Sequence, residues 1–239
     1  MTDARHRSAA TEGHALPSAV LWDLDGTLVD TEPTWIAAET ELAARHGVVW
    51  TEADGEAMIG SALPNAAEHL RSRGVVGTDD EIIGFLIGRV LEGIAREVPW
   101  QPGALALLTE LRDAGVPCAL VTMSYRDMAE KIVAGAPAGV FGAVVAGDDV
   151  ANGKPHPEPY WRASELLGVD VTTCVAFEDS RTGITSAEAA GAITVGVQRH
   201  VPIAAAPRRS RLLTFEGFGL ADIRHIAGGA VIDRIAPPA

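Results

Sequence analysis

Short apolar runs alternate with amphipathic segments over the second half of the chain. A continuous apolar run is typical of a strand buried on both faces, and apolar residues three to four positions apart are typical of a helix that covers it. Their alternation predicts an α/β fold with a Rossmann-like, doubly wound parallel sheet. The predicted strands are residues 19–23, 118–122, 143–146, 173–178, 193–197 and, at the edge, 211–215. The predicted helices between and after them are residues 104–114, 127–134, 160–167, 183–190 and 220–226.

Between the first two predicted strands the pattern is helical throughout. Helices are predicted for residues 33–46, 52–59, 65–73 and 79–97, with Gly and Pro residues at the breaks. The chain therefore divides into an α/β core domain formed by residues 18–33 and 101–239 and an inserted α-helical domain over residues 34–100. Residues 1–17 mix charged residues, Ala, Gly and Pro without periodicity, which indicates a disordered leader.

Composition narrows the class of partner. The 239 residues are 47% hydrophobic and carry a net charge of −13, and such an acidic surface argues against nucleic acid or an anionic membrane as a partner. No apolar run is long enough to span a membrane and no signal-peptide pattern is present, so we expect a cytoplasmic protein. As a separate expectation, the protein is a monomer or a weak homodimer. Cys118 and Cys174 lie inside apolar runs and are expected to be buried free thiols.

Two carboxylates, Asp23 and Asp25, end the first predicted strand in the sequence Asp-Leu-Asp-Gly-Thr. Residues two apart in an extended segment point the same way, so both carboxylates can face one point. Charges held so close repel each other unless a cation or a shared proton intervenes. The alternative is an ordinary Asp-Gly turn that caps a loop.

Polar residues also follow three later strands. Thr122 ends the second, Lys154 lies in a Gly-Lys-Pro segment after the third, and Glu178 and Asp179 end the fourth. Each has an ordinary alternative: a ladder or cap residue, a solvated lysine, and an N-cap for the next helix. The carboxyl ends of parallel strands share one edge of the sheet, so we expect these side chains to meet Asp23 there.

Acids, a hydroxyl and one ammonium group around one point suit phosphoryl transfer. Carboxylates of Asp23 and Asp179 suit Mg²⁺, while Thr122 and Lys154 can bind a phosphoryl group. One carboxylate can attack phosphorus, and a second can protonate the leaving alcohol. Backbone N–H groups in the loops, at Leu24 and Met123, are candidates for further phosphate donors.

The order and spacing of these four motifs, over about residues 19–200, resemble the haloacid dehalogenase superfamily of phosphohydrolases. The closest likeness is to the subfamily with a helical cap, which includes β-phosphoglucomutases, phosphoglycolate phosphatases and sugar- or polyol-phosphate phosphatases. The resemblance implies Asp23 as nucleophile and Asp25 as general acid and base. It implies that Asp23, the Asp25 backbone carbonyl and Asp179 bind Mg²⁺, with Glu178 a ligand or close to one. The inserted helices would be the cap that closes over the substrate.

Within the superfamily, the presence of Asp25 disfavours the dehalogenase and phosphonatase branches, and Thr27 is usual among phosphatases. Residues 30–33 (Asp-Thr-Glu-Pro) with Trp35 resemble the cap start of sugar-phosphate phosphatases. Residues 60–65 contain no Arg or Lys, which a mutase would use to hold a second phosphate. We therefore predict a Mg²⁺-dependent phosphatase of a small phosphorylated metabolite, a sugar or polyol phosphate. The alternatives are a β-phosphoglucomutase-like mutase and a catalytically silent binding or regulatory domain.

Four residues are candidates for substrate selection: Trp35, Ser61, Asn65 and Arg126. Ser61 and Asn65 flank a predicted cap loop, and the alternative for both is a simple turn. Trp35 equally suits packing within the cap, and Arg126 equally suits a solvated surface position.

Overall fold

The computed structural model describes residues 15–58, 61, 63–199 and 201–235. Its sheet has six strands in the order β3-β2-β1-β4-β5-β6, and every neighbouring pair is parallel. The strands are β1 (Val20–Trp22), β2 (Cys118–Val121), β3 (Phe141–Val145), β4 (Val175–Glu178), β5 (Ile193–Val197) and β6 (Ser210–Leu212). This confirms the predicted doubly wound sheet and places β1 at its centre.

Alternate residues of β1 enter separate hydrophobic clusters on the two faces of the sheet. Val20 and Trp22 pack with helices formed by residues 104–113, 126–135 and 220–227, whereas Leu21 packs with helices formed by residues 158–167 and 181–190. Burial on both faces explains why the strand is a continuous apolar run. The helices are α1 (Glu32–Arg45), α2 (Glu52–Met58), α3 (Leu63–Arg73), α4 (Asp79–Arg96), α5 (Ala104–Asp113), α6 (Arg126–Gly135), α7 (Glu158–Leu167), α8 (Arg181–Ala190) and α9 (Leu220–Ala227).

Helices α1, α3 and α4 share a hydrophobic cluster of their own, which includes Leu42, Leu70 and Leu86. Farther along α4, Val90 and Ile94 belong instead to the cluster on the sheet. Helix α4 therefore connects the inserted helices to the core, while the domain boundaries themselves stay a prediction.

The two segments that join the inserted helices to the sheet lie side by side. The N–H of Asp30 donates to the Pro99 carbonyl at 2.8 Å, and the N–H of Gln101 donates to the Leu28 carbonyl at 2.9 Å. The buried Gln101 side chain also donates to the carbonyl of Gly26 at 3.3 Å. The connection is thereby tied to the loop that follows β1.

Three strands differ by two or more residues from their predicted bounds, and the first of these, β3, begins at Phe141 rather than at residue 143. Strand β4 begins at Val175 because residues 171–173 form a 3-10 turn, in which the Thr172 N–H donates to the Asp170 side chain. Strand β6 ends at Leu212 because Phe215 turns inward, where its ring packs edge-on against Trp22 and Phe177.

Most of the predicted leader, residues 1–14, lies outside the described residues. Leu16 packs against the sheet cluster and Pro17 is buried, so residues 16–17 belong to the packed core rather than to a disordered leader.

Cys118 and Cys174 are buried and unpaired, as predicted. They lie in the clusters on opposite faces of the sheet, which explains why they form no disulfide. Among the described residues, every helix is too short or too polar to cross a bilayer.

Candidate active site

Lys154 links the ends of three strands at the carboxyl edge of the sheet. Its Nζ donates to Oδ1 of Asp23 at 2.7 Å and to the carbonyl of Val121 at 2.8 Å, and it lies 2.6 Å from Oε1 of Glu178. Burial alone would lower the pKa of Lys154, but the charges of Asp23 and Glu178 raise it above its usual value. The lysine therefore stays positively charged among the acids. It meets Asp23 at the edge of the sheet, as predicted, although the two residues are far apart in sequence.

Three carboxylates converge beside this lysine. Asp23, Glu178 and Asp179 each offer an oxygen, and these atoms lie within 4.8 Å of one another. Burial, followed by the charge of Asp23, raises the pKa values of both Glu178 and Asp179. This excess of clustered carboxylate oxygens fits a hard divalent cation such as Mg²⁺.

Two glycines allow the carboxylates to pack directly against backbone. Gly26 has φ +81°, and a Cβ there would lie 2.0 Å from Oδ2 of Asp179. A Cβ on Gly183, at the start of α8, would lie 1.9 Å from Oε2 of Glu178. Ser180 accepts the Gly183 N–H at 3.0 Å as the N-cap of α8. The alternative capping role thus belongs to Ser180, while the two acids before it face the site.

Hydroxyl groups, rather than the acid cluster, surround the side chain of Asp25. Thr31 donates to Oδ1 at 2.6 Å and Ser124 donates to Oδ2 at 2.6 Å, with Thr122 more distant at 3.4 Å. Burial raises the pKa of Asp25, and the hydrogen bonds from Ser124 and Thr31 act in the opposite direction. A carboxyl with a raised pKa suits a general acid. Its predicted ligation of metal through the backbone carbonyl stays a prediction.

The Thr122 hydroxyl oxygen accepts the Ser124 N–H at 2.9 Å, which orients the hydroxyl at the end of β2. The neighbouring Met123 packs its sulfur against the Lys154 backbone, whose N–H lies 3.2 Å from it. Leu24 has a fully buried side chain, so only its backbone is available to a phosphate. The structure therefore brings the predicted phosphate-binding loops together around Lys154.

Tyr160 is a residue of the site that the sequence analysis did not identify. Its hydroxyl donates to Oε1 of Glu178 at 2.6 Å from a fully buried position in α7. Burial, with the Glu178 charge, raises the pKa of Tyr160, so the phenol remains a donor. In the sequence Tyr160 is simply one of the apolar positions of a helix, and nothing local indicates its partner.

The four predicted substrate residues are not equivalent. Arg126 binds Asp149 and Glu130 and donates to the Val144 carbonyl, so the alternative of a surface role is favoured over substrate binding. Trp35 packs against both the sheet cluster and the cap cluster, which favours its packing role. Ser61 is half-buried and donates its N–H to the Met58 carbonyl, and Asn65 is exposed in the first turn of α3. Their substrate roles stay predictions.

The chain is similar to known proteins of one family. The haloacid dehalogenase-like hydrolase family matches residues 17–191. Protein CbbY of Rhodobacter capsulatus is 34% identical over 72% of this chain and 82% of its own length. Hexitol phosphatase A of Escherichia coli is 34% identical over 74% of this chain and 81% of its own. A crystal structure of a CbbY mutant from Rhodobacter sphaeroides in complex with xylulose-(1,5)bisphosphate has 29% identity and a TM-score of 0.75, and covers 87% of this chain and 99% of its own. The chain belongs to the haloacid dehalogenase-like hydrolases.

Proposed function

We propose that this chain is a Mg²⁺-dependent phosphatase that hydrolyses a sugar or polyol phosphate through an aspartyl-phosphate on Asp23. The observation that carries the proposal is the asymmetry of the Asp23 carboxylate. Lys154 holds Oδ1 at 2.7 Å, whereas Oδ2 is buried with no hydrogen-bond donor among the described residues. An oriented carboxylate with one bare, desolvated oxygen is suited to attack phosphorus.

The residues that would hold Mg²⁺ are Asp23, Glu178 and Asp179, together with the backbone carbonyl of Asp25. When bound, the ion would offset the repulsion between these acids and an incoming phosphate and stabilise charge on the transferred group. Lys154 and the Thr122 hydroxyl would bind the remaining phosphoryl oxygens.

The chemistry balances in two steps. In the first, the Asp23 carboxylate oxygen forms a bond to phosphorus while the ester P–O bond breaks, and Asp25 gives its proton to the departing alkoxide. In the second, Asp25 takes a proton from water, whose oxygen bonds to phosphorus as the P–O bond to Asp23 breaks. The products are the free alcohol and inorganic phosphate. The raised pKa of Asp25 and its two short hydrogen bonds suit a group that gives and regains one proton.

The proposed substrate class rests on the relatives. Hexitol phosphatase A acts on a phosphorylated polyol by its name, and the CbbY structure holds a sugar bisphosphate. Both resemble this chain over most of their own length. A sugar or polyol phosphate is therefore the first class to test.

The test is a panel of sugar and polyol phosphates assayed for released phosphate with Mg²⁺ and with excess chelator. We expect Mg²⁺-dependent release from at least one ester, with the phosphoryl group found on the acid-quenched enzyme by intact mass. Asp23→Asn should lose turnover by at least about a thousandfold. Asp113→Asn, the same change at an exposed aspartate of α5, is the matched control and should turn over normally.

Hydrolysis retained by Asp23→Asn would exclude the nucleophile. Interconversion of hexose phosphates without release of phosphate would indicate the mutase instead, and inactivity on the whole panel would indicate a silent binding domain.

A further inference from the structure

Arg199 lies at the same sheet edge as the acid cluster, on the strand next to it. In the β4–β5 register Gly196 pairs with Glu178, and Arg199 follows the end of β5 by two residues. The charges of Asp30 and Asp179 act on the pKa of its guanidinium. Asp30 is close in sequence to the inserted helices, which begin with α1 at Glu32, so the charges that act on Arg199 come both from the acid cluster and from the segment that leads into the cap.

The guanidinium of Arg199 has donors that no described residue satisfies. Its Nε and Nη2 atoms are buried, and neither has a hydrogen-bond acceptor within the described ranges of the chain. It forms no ion pair there either, although two carboxylates are near enough to affect its charge. Burial lowers the pKa of Arg199, while Asp30 and Asp179 act to raise it. A buried N–H without an acceptor is costly, so these donors call for a partner that the described residues do not supply, such as a ligand, an ion or water.

Other arginines after β5 show the usual alternative. Arg209 donates through Nε at 2.8 Å and Nη2 at 2.9 Å to the two oxygens of Glu188. Arg211 donates through Nε and Nη2 to Asp233. Both donate from the two fork atoms of the guanidinium to a carboxylate of the protein, whereas no residue in the described part of the chain accepts from the corresponding atoms of Arg199.

A planar fork of N–H donors matches the oxygens of a phosphate or a carboxylate. The phosphoryl group that is transferred already has Lys154 and Thr122, as proposed above. The open donors of Arg199 are therefore available to a different anionic group on the same molecule. Residues 60–65 of the cap carry no Lys or Arg that would serve such a group.

Building on the proposed phosphatase function, we propose that Arg199 binds a second anionic group of the substrate. The preferred substrates are then metabolites with two anionic groups, either bisphosphates or phosphorylated carboxylic acids, rather than simple monophosphates.

Matched ligand pairs separate the two sources of the second anion. Ribulose bisphosphate against ribulose monophosphate tests a second phosphate, and phosphogluconate against glucose phosphate tests a carboxylate. Each pair is measured for kcat and KM with Mg²⁺ on the full chain, and for binding by calorimetry to the Mg²⁺-loaded Asp23→Asn variant. The variants are Arg199→Gln and Arg199→Lys, with Arg208→Gln as the matched control at an exposed position of the same connection.

In at least one pair we expect the wild type to prefer the doubly anionic member. Arg199→Gln should raise its KM and Kd by about 10- to 100-fold more than those of the singly anionic partner, with Arg199→Lys intermediate. Arg208→Gln should behave as the wild type. The pair that responds identifies the second group as phosphate or carboxylate.

The inference is overturned if Arg199→Gln weakens both members of each pair equally, or neither. A lower thermal midpoint without discrimination between pair members would assign Arg199 to charge compensation of Asp30 and Asp179 instead. The inference is also overturned if the wild-type protein hydrolyses monophosphates and shows no preference for substrates with a second anionic group. That result would leave the proposed phosphatase function standing. Failure of all hydrolysis counts against the proposed function, and the calorimetric arm still decides the role of Arg199.

Discussion

Tyr160 donates its hydroxyl to Oε1 of Glu178 at 2.6 Å, and both side chains are fully buried. The same carboxylate oxygen lies 2.6 Å from Nζ of Lys154. One acid of the cluster formed by Asp23, Glu178 and Asp179 is thereby held from helix α7 on one side and from the preceding loop on the other. The position of Glu178, at the end of β4, thus depends on a hydrogen bond from a helix that precedes this strand in the chain.

Tyr160→Phe removes only this hydroxyl. We expect the free energy of unfolding to fall by about 1–3 kcal/mol, because a buried carboxylate loses a donor. The Mg²⁺ concentration for half-maximal activity should also rise, since Glu178 is then less firmly oriented. Urea denaturation and a Mg²⁺ titration measure the two effects. Tyr125→Phe, at the exposed tyrosine, is the control, and equal behaviour of the two variants would contradict the assigned role.

Gly26→Ala tests the close approach of Asp179 to the first loop. The new Cβ would lie 2.0 Å from Oδ2 of Asp179, and the φ of +81° is unfavourable for alanine. Displacement of a site carboxylate by about an ångström should lower kcat/KM by about a hundredfold or more. Gly47→Ala has a similar φ of +70° with no atom within 4 Å, so it isolates the backbone strain. It should reduce the thermal midpoint and leave activity in place; comparable activity losses in both variants would refute the steric explanation.

Ser124→Ala removes the donor at 2.6 Å from Oδ2 of Asp25. If Asp25 protonates the leaving group, the loss must depend on how much that group needs a proton. We expect kcat to fall by about 10- to 100-fold on a sugar phosphate and by much less on p-nitrophenyl phosphate, whose leaving group departs unprotonated. Steady-state kinetics on the two esters is the measurement, with Ser72→Ala, at an exposed serine, as control. Equal losses on both esters would remove the connection to Asp25.

Glu39 provides a pH dependence of stability that is separate from the active site. Burial in α1, followed by the charge of Glu32, raises the pKa of Glu39 from 4.5 to about 7. An acid with a raised folded-state pKa loses stability as pH rises from its unfolded value through its folded one. Glu39→Gln, which stays neutral, should match the wild type near about pH 5 and exceed its unfolding free energy by about 1–3 kcal/mol near about pH 8.

Urea denaturation at both pH values measures this difference. Glu68→Gln, at an exposed glutamate of α3, should show no such gain. A Glu39→Gln variant with the same pH dependence as the wild type would show that the buried carboxyl does not titrate in this range.

Local patterns were sufficient for the fold class and for the residues at the strand ends. A strand buried on both faces is a continuous apolar run, and its first polar residues mark its carboxyl end. Asp23, Thr122, Lys154 and Asp179 could therefore be assigned to one edge of a parallel sheet from sequence alone. The boundaries of β4 and β6 could not, because a 3-10 turn and the inward packing of Phe215 ended them.

Only the tertiary structure decided which partner each side chain takes. Ser124 meets Asp25 across 99 positions of sequence, and Arg126 pairs with Asp149 rather than with an open site. Tyr160 and Arg199 carry no local signal of a functional role, since one occupies an apolar helix position and the other a loop. The physical reason is that the strand order of the sheet, with β1 between β2 and β4, sets these contacts, and strand order follows from packing of the whole chain. The sequence by itself determined which chemical groups reach the edge of the sheet, and the packed fold determined which of them touch.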